Sequence, residues 1–438
     1  MTAVWLYLAH FAATMTGIAA IFVLTRRNPV ARWKSILLAA GCLALAVATF
    51  LVSDPPRYFE DFRIAYYPAG RAVLENPAAL RALFGLGVSG FVNLPVVAYL
   101  FAPLAILPMP VAMALFTVLG LGAIAAAWML LTRLASLGLT ERWLLALLFA
   151  ASGPLQYSLK EGNSSHFILL ALVAGLALLR AGRPASAGAL LGAAAIIKPP
   201  LLLFGLFFAL RRDVRGLTGL VLVCAAAAAA SVVLFGWFDN LHWFDVCVLQ
   251  FSHRWLAAFN VQSIPAFLFR FEAAPARLLD WNAYPPPPGL ASAAQILLVA
   301  LFAIAGLASL RPAAGSPTQQ PSKEATLTLQ YVVVLCLAVL ASPLSWSHYY
   351  CWLLLPTAFF LRRQHALGAS PFRVCGWLAI LLATPLVRPL VFPLAGAAEA
   401  YKNFGVSHLL FGGLLWFGLL TWQLARSGRA APEPAVSR

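Results

Sequence analysis

The chain has 438 residues, of which 62% are hydrophobic and only 10% charged, and its formal net charge is +16, from 30 Lys and Arg against 14 Asp and Glu. So little charge over so many residues excludes a soluble globular domain, and repeated apolar stretches of roughly 17 to 25 residues, each able to cross a hydrocarbon core of about 30 Å as a helix, exclude a β-barrel. The positive balance does not point to nucleic acid, because the basic residues stand in short loops beside apolar runs, as the orientation rule for membrane helices requires.

In chain order, the sequence predicts spans near Val4 to Leu24, Ser35 to Ser53, Phe91 to Pro108, Val111 to Leu131, Trp143 to Tyr157 and His166 to Leu179. Further spans are predicted near Ala185 to Leu210, Leu217 to Phe238, Leu290 to Leu310, Leu327 to Ala341, Tyr350 to Leu361, Val374 to Leu394 and Ser407 to Leu424. The expected architecture is an all-α polytopic bundle of about 12 to 14 spans forming one domain over residues 1–425, with a basic, disordered tail over 426–438. The first run has no basic flank before it and ends at Thr25-Arg26-Arg27 without a small-residue cleavage site, so a retained helix is expected there.

Two runs carry interruptions. Phe91 to Pro108 holds three prolines and reads as re-entrant, and Lys198-Pro199-Pro200 breaks the run from Ala185 to Leu210. If the first does not cross and the second is a turn, the clusters Arg26-Arg27, Arg211-Arg212 and Arg362-Arg363 all fall on the cytoplasmic face. The loop over 54–90 then lies outside. Arg311 to Ala325, rich in Pro, Gly, Ser and Gln, reads as a flexible linker.

Four of the fourteen carboxylates, Asp54, Glu60, Asp61 and Glu75, fall in that first external loop, around Tyr58-Phe-Glu-Asp-Phe-Arg-Ile-Ala-Tyr-Tyr-Pro-Ala-Gly70. An ionised carboxylate beside aromatic rings at a membrane surface can accept the proton of an attacking sugar or lipid hydroxyl. Asp61 is the leading candidate and Glu60 its direct competitor. Tyr66 and Tyr67 are either substrate contacts or ordinary interfacial aromatics. His348, at a predicted helix start after Pro343, can relay a proton or meet a phosphate, and Trp346 can stack on a sugar ring or mark the interface. Lys198 interrupts a strongly apolar run and calls for an anion, whether a ligand phosphate or a protein carboxylate. His253, Arg254 and Arg270 are further phosphate candidates, since guanidinium binds phosphate oxygens in pairs. Asn163, His166, Asn260 and Gln262 fall at predicted external ends of spans, where they can bond sugar hydroxyls; helix capping by Asn163 or Ser164 is the alternative role.

The six cysteines are scattered and make no metal-ligand spacing, and no phosphate-cradling glycine loop or dinucleotide fingerprint is present. A polytopic transporter is the competing reading, with Lys198 and the broken helix marking a substrate path. Charges concentrated at one external cavity favour an enzyme.

The order of motifs carries further information. After the acidic loop come Phe91-Val-Asn-Leu-Pro95, Leu100-Phe-Ala-Pro-Leu-Ala-Ile-Leu-Pro108, Glu161-Gly-Asn-Ser-Ser-His166, Ile197-Lys-Pro-Pro200, Asn260-Val-Gln-Ser263 and Ala341-Ser-Pro-Leu-Ser-Trp-Ser-His-Tyr-Tyr350. From about Asp61 to Leu361 this series resembles glycosyltransferase family 87, polyprenyl-phosphate-sugar-dependent mannosyltransferases and relatives of the GT-C fold. The resemblance implies a multi-pass enzyme of the bacterial inner membrane. Such an enzyme transfers a sugar from a polyprenyl-phosphate donor, with inversion, to a glycolipid or glycan acceptor on the extracytoplasmic face. It also implies an Asp base in the first external loop, which Asp61, Phe62 and the Tyr-Tyr-x-Ala-Gly pattern match. Membrane lipids are then expected partners and nucleic acid is not, and no metal or other cofactor is expected, because a basic cluster can stabilise a departing lipid phosphate. The sequence departs from the family pattern in three places. The Asp61 to Tyr67 gap is a residue longer, Asn93-Leu94-Pro95 replaces a Tyr-Pro-Pro, and a helix is added before the usual first span.

Overall fold

The computed structural model describes residues 2–25, 31–54, 58–310, 323–363, 371–390, 392 and 395–427, and among these every regular element is helical. Seven helices are long and apolar enough to cross a membrane: Val4–Leu24, Arg32–Val52, Met109–Leu134, Val214–His253, Pro288–Ser309, Lys323–Ala341 and Ala395–Arg426. Four shorter apolar helices, Ser165–Arg180, Pro184–Ile197, Pro199–Leu210 and Pro371–Ala383, complete an all-α polytopic membrane protein. The 12 to 14 hydrophobic runs of the sequence therefore resolve, among the described residues, into fewer full-length helices than runs. Of the expected linker Arg311 to Ala325, residues 311–322 lie outside the described residues, as do the Arg26-Arg27 pair and the tail from 428 onward; 323–325 instead open the helix Lys323–Ala341, and 426–427, expected in the disordered tail, close the helix His408–Ser427.

Proline accounts for most of the difference. Phe91 to Pro108 forms no continuous helix; a 3-10 turn over Pro95–Leu100 is followed by one short turn of helix over Ala102–Ala105. The run from Trp143 to Tyr157 breaks at Ser152, where Leu139–Ala151 ends and Gly153–Glu161 begins with Pro154 in its first turn. The helix Pro371–Ala383 stops just before Pro385, short of the expected Leu394. In the other direction, the helix expected to end at Phe238 bends at Gly236 (φ 78°) and continues to His253.

Lys198 caps the helix Pro184–Ile197 and a 3-10 turn over Pro199–Leu202 reverses the chain into Leu203–Leu210. The result is a helical hairpin whose two ends lie together. Arg180, just before the hairpin, pairs with Glu324, and Arg211, just after it, bonds Gln330, so both legs return to the same end of Lys323–Ala341. Small residues make the close packing possible, as is usual where lipid rather than water surrounds a bundle. An added Cβ on Gly188 would run into the Gly216 carbonyl of the neighbouring helix.

The added N-terminal helix docks along the bundle rather than standing apart. His10 Nε2 lies 3.0 Å from the Ala151 carbonyl, and the Tyr7 hydroxyl donates to the Leu386 and Arg388 carbonyls, each at 2.7 Å.

Candidate active site

The loop that follows the second helix packs into the bundle at Phe59, whose backbone is left-handed (φ 60°) and whose N–H donates to the Lys160 carbonyl at 2.7 Å. Such backbone in a non-glycine residue is costly and tends to occur where function fixes it. Directly after Asp61 the chain makes a π-helical turn over Phe62–Tyr66. A π-turn bonds each carbonyl to the fifth residue on and so holds one residue more than an α-turn. Tyr67 N–H closes the turn on the Phe62 carbonyl.

Opposite this turn, the helix Gly153–Glu161 ends at Gly162, which is left-handed (φ 66°) and packed so closely that a Cβ there would lie 2.7 Å from both Phe59 and Phe62. Asn163 follows and becomes the hub of the site. Its Nδ2 donates to Asp61 Oδ2 at 2.6 Å and to the Tyr66 hydroxyl at 3.4 Å. Its Oδ1 accepts from Lys198 Nζ at 3.2 Å, from the Ser165 N–H at 3.0 Å and from the Ser165 hydroxyl at 2.9 Å. One amide thus joins the carboxylate of the first loop to the ammonium at the tip of the helical hairpin.

Asn93 supports the hairpin from the side, its Nδ2 donating to the Ile197 carbonyl at 2.7 Å, one residue before Lys198. Lys198 also lies 5.0 Å from the centre of the Tyr349 ring, a cation–π contact in a buried setting. Tyr66 stacks on Phe101 at 4.4 Å, with planes 3° apart, which fixes its ring. Asp61 itself is half-buried.

His348 lies on the same side. It is stacked between Tyr157 and Trp346, each at 6.3 Å and within 13° of parallel, and neither ring nitrogen has a partner although the residue is only 4% exposed. The backbone that carries it is clamped to the 254–263 loop by Ser347 N–H to Asn260 carbonyl at 2.7 Å and by Gln262 N–H to Ser345 carbonyl at 2.6 Å. His166 bonds Ser158 Oγ through Nδ1 at 3.0 Å, while its Nε2 is buried without a partner. The orphaned nitrogens of His348 suit a ligand, whereas His166 Nε2 faces Gly120, where an added Cβ would lie 2.5 Å from it.

The other sequence candidates go elsewhere. Arg270 is fully buried and directs Nε to the Ala257 carbonyl, Nη1 to Ser407 Oγ, and Nη2 to the Ala258 and Val261 carbonyls, which leaves one of its five N–H donors. It braces the 257–261 loop. Gln262 donates to the Phe259 and Val406 carbonyls and serves the same loop. Tyr67 donates to the Leu107 carbonyl at 2.8 Å. Asn260 bonds the Tyr157 hydroxyl through Nδ2 and accepts from Trp281 Nε1, each at 3.0 Å. His253 and Arg254 are exposed at the end of the long helix.

Glu161, the first residue of the Glu161-Gly-Asn-Ser-Ser-His166 motif, is buried near enough to Asp61 for their charges to interact. Burial and the charge of Asp61 hold its carboxyl well above the ordinary range. Asp61 is also raised by burial, but the Asn163 bond and the Lys198 charge pull it back. Burial thus favours the protonated form of both acids, and at Asp61 the Asn163 N–H and the Lys198 ammonium favour the ionised one. Burial lowers the Lys198 ammonium to about 8, with Asp61 opposing the shift. Among the described residues no three or more His, Cys, Asp or Glu side chains converge as a metal would require. The only signal for Glu161 in the sequence was its place two residues before Asn163.

An ionisable carboxylate, a tethered ammonium and unpartnered imidazoles at one end of a membrane bundle agree with the comparisons to known proteins. The chain is 28% identical over 208 residues to the polyprenol-phosphate-mannose-dependent alpha-(1-2)-phosphatidylinositol mannoside mannosyltransferase of Mycolicibacterium smegmatis. That match covers 45% of this chain and 42% of the relative, so it spans less than half of either protein. The model of glycosyltransferase family 87 matches residues 91–343, more than half of the chain and the stretch that supplies Asn93, Glu161, Asn163, His166 and Lys198, and this protein belongs to that family.

Proposed function

We propose that the protein transfers a mannosyl or similar glycosyl group from a polyprenyl-phosphate donor to a lipid or glycan acceptor, on the extracytoplasmic face of the bacterial inner membrane. The observation that carries this reading is the chain Asp61–Asn163–Lys198, which sets a base and a cation at fixed separation across one amide. Asp61 accepts the proton of the acceptor hydroxyl as its oxygen bonds to the anomeric carbon. The bond between that carbon and the phosphate oxygen breaks on the opposite side, its electron pair leaving with the lipid phosphate, so the configuration inverts. Charge grows on that phosphate as it departs, and Lys198 stands ready to stabilise it.

His348 presents unpartnered nitrogens near Lys198, suited to the same phosphate or to sugar hydroxyls. The aromatic walls from Tyr66, Tyr157, Trp346 and Tyr349 suit a pyranose face. With cationic and hydrogen-bonding groups in place, the reaction we propose proceeds without a metal ion. The external side is supported by the Arg180 and Arg211 ends, which gather at the other end of the bundle, where a cytoplasmic face is expected.

The test is transfer by the purified full chain with a panel of polyprenyl-phosphate sugars and glycolipid acceptors, with anomeric configuration read from the product. Transfer from a mannosyl donor with inversion supports the proposal. Transfer only from nucleotide sugars, or retention of configuration, overturns it.

A further inference from the structure

The end of the bundle away from Asp61 carries a cavity of about 400 Å³ that glycosyl transfer leaves without a role. Its walls come from the far ends of helices that begin at or near the candidate site. Arg180 closes the helix Ser165–Arg180, so it stands about 22 Å along the axis from Ser165 at 1.5 Å per residue. Leu134 ends Met109–Leu134, and Glu324 opens Lys323–Ala341, whose other end leads to the His348 segment. The cavity therefore sits near the opposite membrane surface.

Its chemistry is split in the way an amphiphile requires. The inner wall is apolar and aromatic, with Phe359, Phe360, Phe372 and Trp416. The rim is basic. Arg362 lines the opening and is exposed. Arg426 is exposed and lies 4.1 Å from the ring of Trp422, which itself lines the opening. Arg180 is half-buried on the inner side, where it bonds the Leu134 carbonyl at 2.6 Å and pairs with Glu324. Three guanidiniums against one carboxylate leave two positive charges at the mouth of a greasy slot. Tryptophan belongs at the headgroup level of a bilayer, guanidinium takes phosphate oxygens in pairs, and basic clusters at such a surface recognise anionic lipid.

We propose that this cavity holds one anionic phospholipid of the leaflet opposite the active site, its phosphate between Arg362 and Arg426 and its upper acyl chain against Phe359 and Trp416. The inference does not depend on the glycosyltransferase reading. The lipid would tie Leu354–Arg363 to the last helix, since its headgroup bridges a guanidinium from each.

Native mass spectrometry of the purified full chain with phosphatidylglycerol and phosphatidylcholine tests the site. One phosphatidylglycerol is expected to be retained in preference to phosphatidylcholine, and Arg362→Gln and Arg426→Gln are each expected to lower that retention by about fivefold. Equal retention of the two lipids, or unchanged retention in the double variant, overturns the proposal. If either variant fails to purify as a monodisperse protein, chain-brominated phosphatidylglycerol gives an independent reading. It should quench the fluorescence of the unaltered protein more than that of Trp422→Phe, and equal quenching of the two overturns the site.

Discussion

Asp61 and Tyr66 are five residues apart and meet at one nitrogen: Asn163 Nδ2 lies 2.6 Å from the Asp61 carboxylate and 3.4 Å from the Tyr66 hydroxyl. On an α-helix two residues at that spacing point about 140° apart. The π-helical turn Phe62–Tyr66 brings them back to one side. That turn aligns carboxylate and phenol, and the proposal of Asp61 rather than Glu60 as the base rests on this alignment.

Asp61→Asn removes the proton acceptor while keeping the shape of the side chain and one acceptor oxygen for Asn163. Turnover is expected to fall by about 10² to 10⁴ with little change in donor KM, and Glu60→Gln to retain most activity. Steady-state transfer assays on both variants check this; full turnover by Asp61→Asn would refute the mechanism.

The pH profile of kcat/KM should be a bell. Asp61 must be ionised, so activity falls as pH drops through a carboxyl value raised above its ordinary 3.8. Lys198 must be charged, so activity also falls as pH rises through about 8, rather than near the ordinary 10.5. Replacing Lys198 with Arg should move the alkaline limb upward, because guanidinium stays charged, and Lys198→Met should raise donor KM by at least about tenfold. An alkaline limb that stays near 8 in Lys198→Arg would assign it to another group.

Asn163 acts on both charged groups, so Asn163→Leu tests the bridge. Losing its N–H removes a bond that favours the ionised carboxylate, and the acidic limb should move to higher pH as turnover falls by about tenfold or more. Asn163→Gln, which keeps the amide at the end of a longer chain, should restore part of the lost rate. A purely structural defect would lower activity without moving the limb.

Gly162→Ala should damage the site from outside it. The substitution forces a side chain into a left-handed backbone and against Phe59 and Phe62, costing about 1 to 3 kcal/mol and displacing Asn163 or Asp61. Thermal unfolding in detergent and transfer activity should both fall.

Chelation provides a separate check. Prolonged treatment with EDTA is expected to leave the rate unchanged. Loss of activity that magnesium or manganese restores would show that cations on the protein are not sufficient.

Composition and hydropathy alone determined that the chain is an all-α membrane protein, because a bilayer leaves helices as the way to satisfy the backbone of such apolar runs. Motif order pointed to the family, and the single acidic loop pointed to Asp61. Which charged residues belong to one site depended on contacts far apart in sequence. Lys198 reaches Asn163 across 35 residues and Asp61 reaches it across 102, whereas Arg270, as good a phosphate ligand by type, is used up on nearby carbonyls. Residue type sets what a side chain can bind, but its partners are set by which helices pack together. That packing turned Arg270 into a brace, buried Glu161 near Asp61, and joined Asp61, Asn163 and Lys198 through one amide.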